Sequence, residues 1–403
     1  MDPMTNRRAV VVGGGVGGLT TALALQRTGW QVTVLERRPA DVGEGTGLTV
    51  WPNALRALRV LGLAAPLQAL ATVVPGTQLR RPDGRVLSAV PPGALAARQG
   101  EPLLGVVRGD LTALLAAALP AGVVRRGVTV TGVDPGTADR RASVLCAGEP
   151  VPADLVVAAD GVGSVLRQQL WPQQPPPRYS GYTSWRALVQ APHRGGAFET
   201  WGRGRRFGAV PVGRDLTYVY ATANAAPREP GAAAAGDVEL LRRQFADWHD
   251  PVPALLARVT AAGLLRHDVL ALRPGPQGLS VGRVALLGDA AHAMEPNLGQ
   301  GACLAIEDAV VLAHAVAEAG DVVHQLPGYG RARAARVHAL ARQSHVVGRL
   351  GQLESGPLVA VRDAAIRLVP RSLSLRGTDA AAGWHPPVTP PRPLATTSHQ
   401  EPS

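Results

Sequence analysis

The first apolar run, residues 8–12 (Arg-Ala-Val-Val-Val), is short and lacks alternation, as a strand buried on both faces would be. A glycine cluster follows it. Leu19, Ala22, Leu23 and Gln26 then recur at helical spacing until Gly29 ends the period. Residues 31–35 return to a strand through Val32, Val34 and Leu35. Together these predict a β-turn-α-β unit of about thirty residues, the length a parallel crossover requires.

Helical spacing returns at 52–61, with Leu55, Leu58 and Leu61 on one face and Pro52 in the first turn, and again at 111–119. Residues 75–100 are rich in Pro and Gly and predict an excursion with short strands, and a strand at 154–158 runs into Asp160-Gly161. From 178 to 272 the pattern changes. Segments 182–189, 206–211 and 216–222 have strand character between Gly/Pro turns, with helices predicted at 238–245 and 252–262. This predicts an antiparallel sheet, in which alternation puts Tyr218 and Tyr220 on one face and Thr217 and Val219 on the other. The α/β pattern then resumes with a strand at 282–287 ending at Gly288-Asp289, a helix at 301–319 and further helix toward 370. Residues 377–403 carry six prolines and predict a disordered tail. There is no internal repeat.

Composition narrows the chemistry. All 41 basic side chains are arginine, because the 403-residue chain contains no lysine. That excludes a lysine Schiff base and a Gly-Lys-Ser/Thr phosphate loop. The formal charge of +11 suggests nucleic acid, but the arginines are scattered, with no basic run interleaved with aromatics. Solvated surface arginines account for such scatter, so no nucleic-acid partner is expected. Cys146 and Cys303 lie far apart, and the ten histidines show no metal-ligand spacing, so neither a disulfide framework nor a metal site is expected. Arg7-Arg8 ahead of the uncharged stretch 9–26 has the outline of an export signal, but five glycines inside it suit a tight turn better. No other window is long and apolar enough for a membrane span. These features predict a cytoplasmic protein without a membrane span.

Three motifs carry chemistry. Gly13-x-Gly15-x-x-Gly18 follows a strand, opens a helix and is followed by Glu36 at the end of the next strand. Glycines there permit a tight turn and close backbone approach to a pyrophosphate, and the acid accepts hydrogen bonds from a ribose. This alone does not choose between FAD and NAD. Asp160-Gly161 with Ser164 and Arg167, and Gly288-Asp289 with His292, Pro296 and Gly299-Gln300-Gly301, each place a carboxylate at the C-terminal end of a strand.

With these three motifs in this order, residues 7–350 resemble the single-component (class A) FAD-dependent monooxygenases related to para-hydroxybenzoate hydroxylase. The stretches GEGTGLTVWPNALRALRVLGL and GYTSWRALV look most like the salicylate, 3-hydroxybenzoate, urate and zeaxanthin-type branches. The resemblance implies an α/β fold: a Rossmann-like FAD-binding domain with an inserted antiparallel β-sheet substrate domain and C-terminal helices. The implied FAD domain is discontinuous, at 7–75, 101–177 and 273–350. The sheet domain takes 76–100 and 178–272, and a C-terminal helix takes 351–376.

By resemblance, Gly13, Gly15, Val16, Gly17 and Gly18 approach the pyrophosphate, Glu36 holds the adenosine ribose and Arg37 covers the adenine. Arg108 reaches FAD, Val130 gives a main-chain contact to adenine, and Asp289 binds the ribityl chain. Asp160 and Arg167 belong to a segment associated with FAD and nicotinamide. Gly299, Gln300 and Gly301 open a helix, so backbone amides and the positive dipole end would face the flavin pyrimidine edge. Pro296 would shape the wall near the reactive flavin carbon. His292 reads better as a structural histidine and Cys303 as a packing residue.

The implied reaction uses NADH or NADPH and O2, through a flavin C4a-hydroperoxide, to hydroxylate a phenolic or heteroaromatic small molecule. Candidate pocket residues are Trp185, Arg186, Trp201 and Tyr220, with Arg206 to steady an anion and Tyr218 to relay a proton. Alkene epoxidation on the same scaffold is the nearest alternative. A flavin halogenase would need the lysine this chain lacks. A reductase, or a flavin-binding redox or partner-docking protein without turnover, would show no substrate-stimulated oxygen consumption. The expected state is monomer or homodimer.

Overall fold

The computed structural model describes residues 7–40, 45–192, 195–228, 236–273 and 275–387. Strand Arg8–Val12 is the hub of a six-stranded sheet. Its neighbours are Gln31–Glu36 on one side and Leu155–Ala158 on the other, both parallel to it. Val124–Arg126 extends one flank and Val284–Leu286 the other, and Ser280–Val281 closes that edge antiparallel. The near-continuous burial of Ala9–Val12 and Leu155–Ala158 shows why these runs carry no polar alternation: both faces are covered. Helices Val16–Arg27 and Gly301–Ala315 pack together on this sheet, with Ala22, Leu25, Ile306 and Ala309 buried in one core.

Register brings the three motifs together. Val12 pairs with Leu35 and Ala158, and Ala158 pairs with Leu286. Gly13, Glu36, Asp160 and Asp289 therefore emerge along one C-terminal edge, where the chain leaves Arg8–Val12 for opposite sides of the sheet. In open parallel sheets this switch point is where ligands gather.

The second sheet has seven strands in the order Leu265–Ala271, Arg178–Gln190, Leu216–Asn224, Arg205–Val212, Ala197–Trp201, Thr77–Arg80 and Val86–Val90. It is antiparallel except where Thr77–Arg80 runs parallel to Ala197–Trp201. The Pro/Gly-rich excursion thus supplies two edge strands. Short helices Asp237–Gln244 and Val252–Ala257 cover the far face over Trp185, Ala187, Phe207 and Val219. The near face meets a three-stranded sheet of Gly47–Val50, Leu104–Val107 and Thr72–Val73. Two glycines allow this close approach. A Cβ at Gly105 would lie 2.1 Å from the Pro211 carbonyl oxygen, and one at Gly47 would lie 2.5 Å from the Tyr218 Cβ.

The C-terminal part departs from expectation. After the helix Val322–Gly351, the region contains two helices, Gly356–Leu368 and Arg371–Ala382, broken at Pro370. Residues 377–387, expected to be disordered, are structured. Ala381 and Ala382 are buried, and Arg56 donates to the carbonyls of Ala382 (2.7 Å) and Trp384 (2.9 Å). Proline count misled because the prolines begin only at Pro386; the rest of the expected tail lies outside the described residues. The arginines also differ from a purely solvated set. Arg167, Arg206, Arg333 and Arg362 are buried, each holding carboxylate or carbonyl partners.

Candidate active site

The glycine turn is built as the sequence requires. Gly13 takes φ 110°, and a Cβ there would lie 2.4 Å from the Ala159 carbonyl oxygen. A Cβ at Gly18 would meet the Gly13 carbonyl oxygen at 1.9 Å. Gly15 differs: nothing lies within 4 Å of where its Cβ would be, and the same holds for Gly45, Gly161 and Gly163. The motifs therefore line an open, backbone-walled cradle at the N-terminus of Val16–Arg27. Glu36 borders it, accepting from the amides of Gly14 (2.6 Å) and Arg38 (2.8 Å), while Arg37 is exposed beside it. Val128 donates its amide to the Glu36 carbonyl at 3.0 Å. Val130 lies two residues further on, pairing with Cys146 in a separate three-stranded sheet.

The second and third motifs are clamped to each other. Arg167 donates to the carbonyls of Ala290 (2.8 Å) and Val162 (2.6 Å), tying the Asp160–Gly163 loop to the Asp289–His292 helix. Asp160 accepts from the Val165 amide at 2.9 Å through one oxygen, and its other oxygen is buried without a partner. Burial pushes its carboxyl up, against hydrogen bonds that favour the anion. Asp289 is exposed on the cradle and lies 3.9 Å from where a Cβ of Gly301 would sit. Pro296 opens a single 3₁₀ turn, Pro296–Leu298, leading into Gly299.

Beneath this edge lies a buried ionic network that the sequence reading missed. Asp308 accepts from the Gly288 amide (3.0 Å), His292 Nε2 (2.6 Å) and Arg333 Nε (2.6 Å). Glu307 pairs with Arg333 (2.8 Å) and Arg336 (2.6 Å) and accepts from Asn53 (2.6 Å), which also donates to Gln300 (3.0 Å). Charge neighbours hold the Asp308 carboxyl well below its usual range despite burial. His292 is thus a structural histidine, as expected. Cys303 is fully buried, and burial pushes its thiol up to about 12, so it is a packing residue. The signal for the network was present: Glu307-Asp308 interrupts the otherwise apolar run Ala302–Ala313 of one helix.

Opposite the cradle stands the near face of the seven-stranded sheet. Register puts Arg186, Tyr220, Gly208 and Glu199 in one row across four strands, with Leu188, Tyr218 and Val210 in the next. The tyrosine rings are 5.8 Å apart. Burial raises the Tyr218 phenol, with Arg186 and Arg108 opposing, so it stays protonated. Tyr218, Tyr220 and Trp51 join one apolar cluster with Val210 and Leu188, and the Trp51 indole nitrogen lies 3.4 Å from where a Cβ of Gly299 would sit. This contact sets the near face against the Gly299–Gly301 turn.

Two expectations change here. Trp185 does not line this face. It packs among Phe207, Val219 and Phe245 on the far side, under the Arg266 guanidinium (5.2 Å). Adjacent residues of a strand cannot share a face, so Arg186 and Trp185 could not both be pocket residues. Arg206 is on the near face but committed to protein partners. It donates to Asn297 (2.7 Å), Thr222 (3.2 Å), Gln352 (3.3 Å) and Glu199 (3.3 Å). Trp201 is buried beside Glu199, its ring under the Arg362 guanidinium at 5.5 Å. Glu199 and Asn297 were not anticipated. The strand Ala197–Trp201 that carries Glu199 was not predicted from the sequence, so nothing there placed Glu199 on the side that faces the site.

Comparison with known proteins decides what the cradle holds. Residues 7–206 and 275–344 match the family described as FAD binding domain. The chain belongs to this family. An aurachin C monooxygenase/isomerase of Stigmatella aurantiaca is 36% identical over 371 residues, covering 91% of this chain and 95% of that protein. A 2-heptyl-3-hydroxy-4(1H)-quinolone synthase of Pseudomonas aeruginosa is 35% identical over 370 residues, covering 90% and 94%. Among solved structures, Klebsiella pneumoniae HpxO complexed with FAD and uric acid superposes with a TM-score of 0.85 at 27% identity, covering 92% of this chain and 95% of that one. This member of the FAD-binding family is accordingly a flavoprotein monooxygenase of the aromatic hydroxylase type, with FAD as cofactor and NAD(P)H as co-substrate. Among the described residues there is no metal-binding cluster, and no helix is long and apolar enough to cross a membrane.

Proposed function

We propose that the protein hydroxylates a ring carbon of a heteroaromatic that carries a ring N–H or O–H and an apolar substituent, with the 4(1H)-quinolones as the best-fitting class. The observation that carries this reading is the near face itself. It has a polar row of Arg186, Tyr220 and Glu199 beside an apolar wall of Leu188, Val210 and Trp51, set against the Gly299–Gly301 turn. Such a surface suits a flat molecule with one polar edge and one apolar end. The quinolone product in the name of the Pseudomonas relative supports the class.

The cradle residues fit FAD. The amides of Gly13–Gly18 and the helix behind them suit the pyrophosphate, Glu36 the ribose, Arg37 and Arg108 the adenine side and the dinucleotide, and Asp289 the ribityl chain. Gly299, Gln300 and Gly301 offer the N-terminus of a 15-residue helix to the flavin pyrimidine edge. When bound, FAD accepts a hydride from NADH or NADPH and delivers one oxygen atom of O2 to the substrate. The protein's part is to hold the ring, exclude water and set the substrate's proton. The two cysteines are unpaired, which suits a cytoplasmic enzyme. The test is to load purified protein with FAD and offer 2-heptyl-4(1H)-quinolone with NADH or NADPH. The reading requires faster nicotinamide oxidation and a 3-hydroxy product. Inertness toward quinolones, with turnover of simple phenols, would contradict it.

A further inference from the structure

Among the described residues, the near face of the seven-stranded sheet carries a single carboxylate, Glu199. Its side chain keeps 21% exposure, unlike the Arg206 beside it at 2%, so it borders open space rather than core. Arg206, Trp201 and Tyr220 reach its carboxyl. Arg206 holds one oxygen at 3.3 Å, and that guanidinium is already shared among Asn297, Thr222 and Gln352. Tyr220 reaches Glu199 by lying across Gly208, where a Cβ would stand 2.1 Å from its ring and 2.4 Å from its hydroxyl. The glycine therefore lets a phenol support the acid. Asn297, the other end of the Arg206 contact, follows Pro296 at the turn into Gly299–Gly301, so Glu199 is fixed relative to the flavin side of the site.

We propose that Glu199 is the group that recognises a ring N–H or O–H of the substrate and takes its proton. This rests on the functional reading above and specifies its chemistry. The substrate N–H or O–H bond breaks, its proton goes to a Glu199 oxygen, and the electron pair stays on the ring, enriching the carbon to be hydroxylated. The neighbours that tune it are Arg206 and Tyr220, with Trp201 on its own strand; the paired strand Thr77–Arg80 sets Leu79 opposite it and no ionisable group. Desolvation raises the carboxyl, and Arg206, with hydrogen bonds from Trp201 and Tyr220, opposes it. The other candidates are less suited. Tyr218 remains a protonated phenol, and Arg206 is a donor already engaged.

The test uses the FAD-loaded enzyme and a panel of 4(1H)-quinolones, phenols and purines, each beside its N- or O-methylated counterpart. Binding is followed by flavin absorbance without nicotinamide, and bound ligand ionisation by its own ultraviolet spectrum. Wild type should prefer the N–H or O–H form by about tenfold or more and bind it as the anion. Glu199→Gln should lose both the preference and the anion spectrum, lower product formation about 100-fold and remove the acid limb of its pH profile. Glu199→Asp should restore part of each, and flavin content reports that both variants fold. If wild type binds phenols or purines but no quinolone, the substrate class falls while Glu199 is judged on the compounds that bind. Equal binding of methylated forms by wild type, an unchanged anion spectrum in Glu199→Gln, or a panel in which nothing binds overturns the proposal.

Discussion

Asp308→Asn tests the buried network under the cofactor edge. The substitution keeps the shape and one acceptor, so the Gly288 amide retains a partner, but it removes the negative charge facing Arg333, both side chains being fully buried. Breaking a buried ion pair on one side costs about 3–5 kcal/mol. Glu307 still faces Arg333 at 2.8 Å, which places the expected loss at the lower end, about 3 kcal/mol. At roughly 1 °C per kcal/mol for a chain of this length, the melting temperature should fall by about 3–4 °C. The sign with pH is fixed. The folded-state pKa of Asp308 lies below its unfolded value, so its stabilisation is fully present above that value and is lost as the pH falls through the folded one. Between about pH 6 and about pH 3 the gap between wild type and variant should narrow by about 1 kcal/mol. Urea titrations across this range measure it, with FAD titration of the apoprotein reporting on Asp289. A variant within about 1 °C of wild type at neutral pH would refute the view that this network holds the edge in place.

Gly13→Ala should give protein without bound flavin, since a Cβ at φ 110° lies 2.4 Å from a carbonyl oxygen; visible absorbance after FAD reconstitution decides it. A thiol reagent at about pH 8 should titrate only Cys146 in the native protein and both cysteines after denaturation, because the Cys303 thiol is buried and pushed up to about 12. Trp185→Phe should lower stability by about 1–2 kcal/mol with substrate KM unchanged, whereas Arg186→Ala should raise KM at unchanged melting temperature. Truncation after Pro370 should destabilise the fold measurably in thermal melts, because Arg336 loses the carbonyls of Ala380 and Ala381, and Arg56 those of Ala382 and Trp384.

Much of the cofactor half was legible because local rules fix it. A strand, a glycine turn and a helix leave one geometry for Gly13–Gly18, and an acid at the end of the next strand has one place to go. The substrate half was legible only as a pattern. Alternation sorted Tyr218 from Val219 correctly, yet choosing Trp185 by residue type ignored the parity that sends it to the far core. Glu199, Asn297 and the Asp308–Arg333 pair depend on contacts between distant segments, which no local spacing encodes. The structured 377–387 segment was hidden because a composition count averaged an anchored stretch around Trp384 with the proline-rich residues beyond it.

The most direct test of the whole account is a single turnover assay of the FAD-loaded protein with NADH or NADPH, isotopically labelled dioxygen and the quinolone, phenol and purine panel. The account predicts that at least one compound accelerates nicotinamide oxidation and returns heavier by one labelled oxygen atom. A protein that retains no flavin, or one that oxidises nicotinamide at the same rate with every compound and labels none of them, would contradict it.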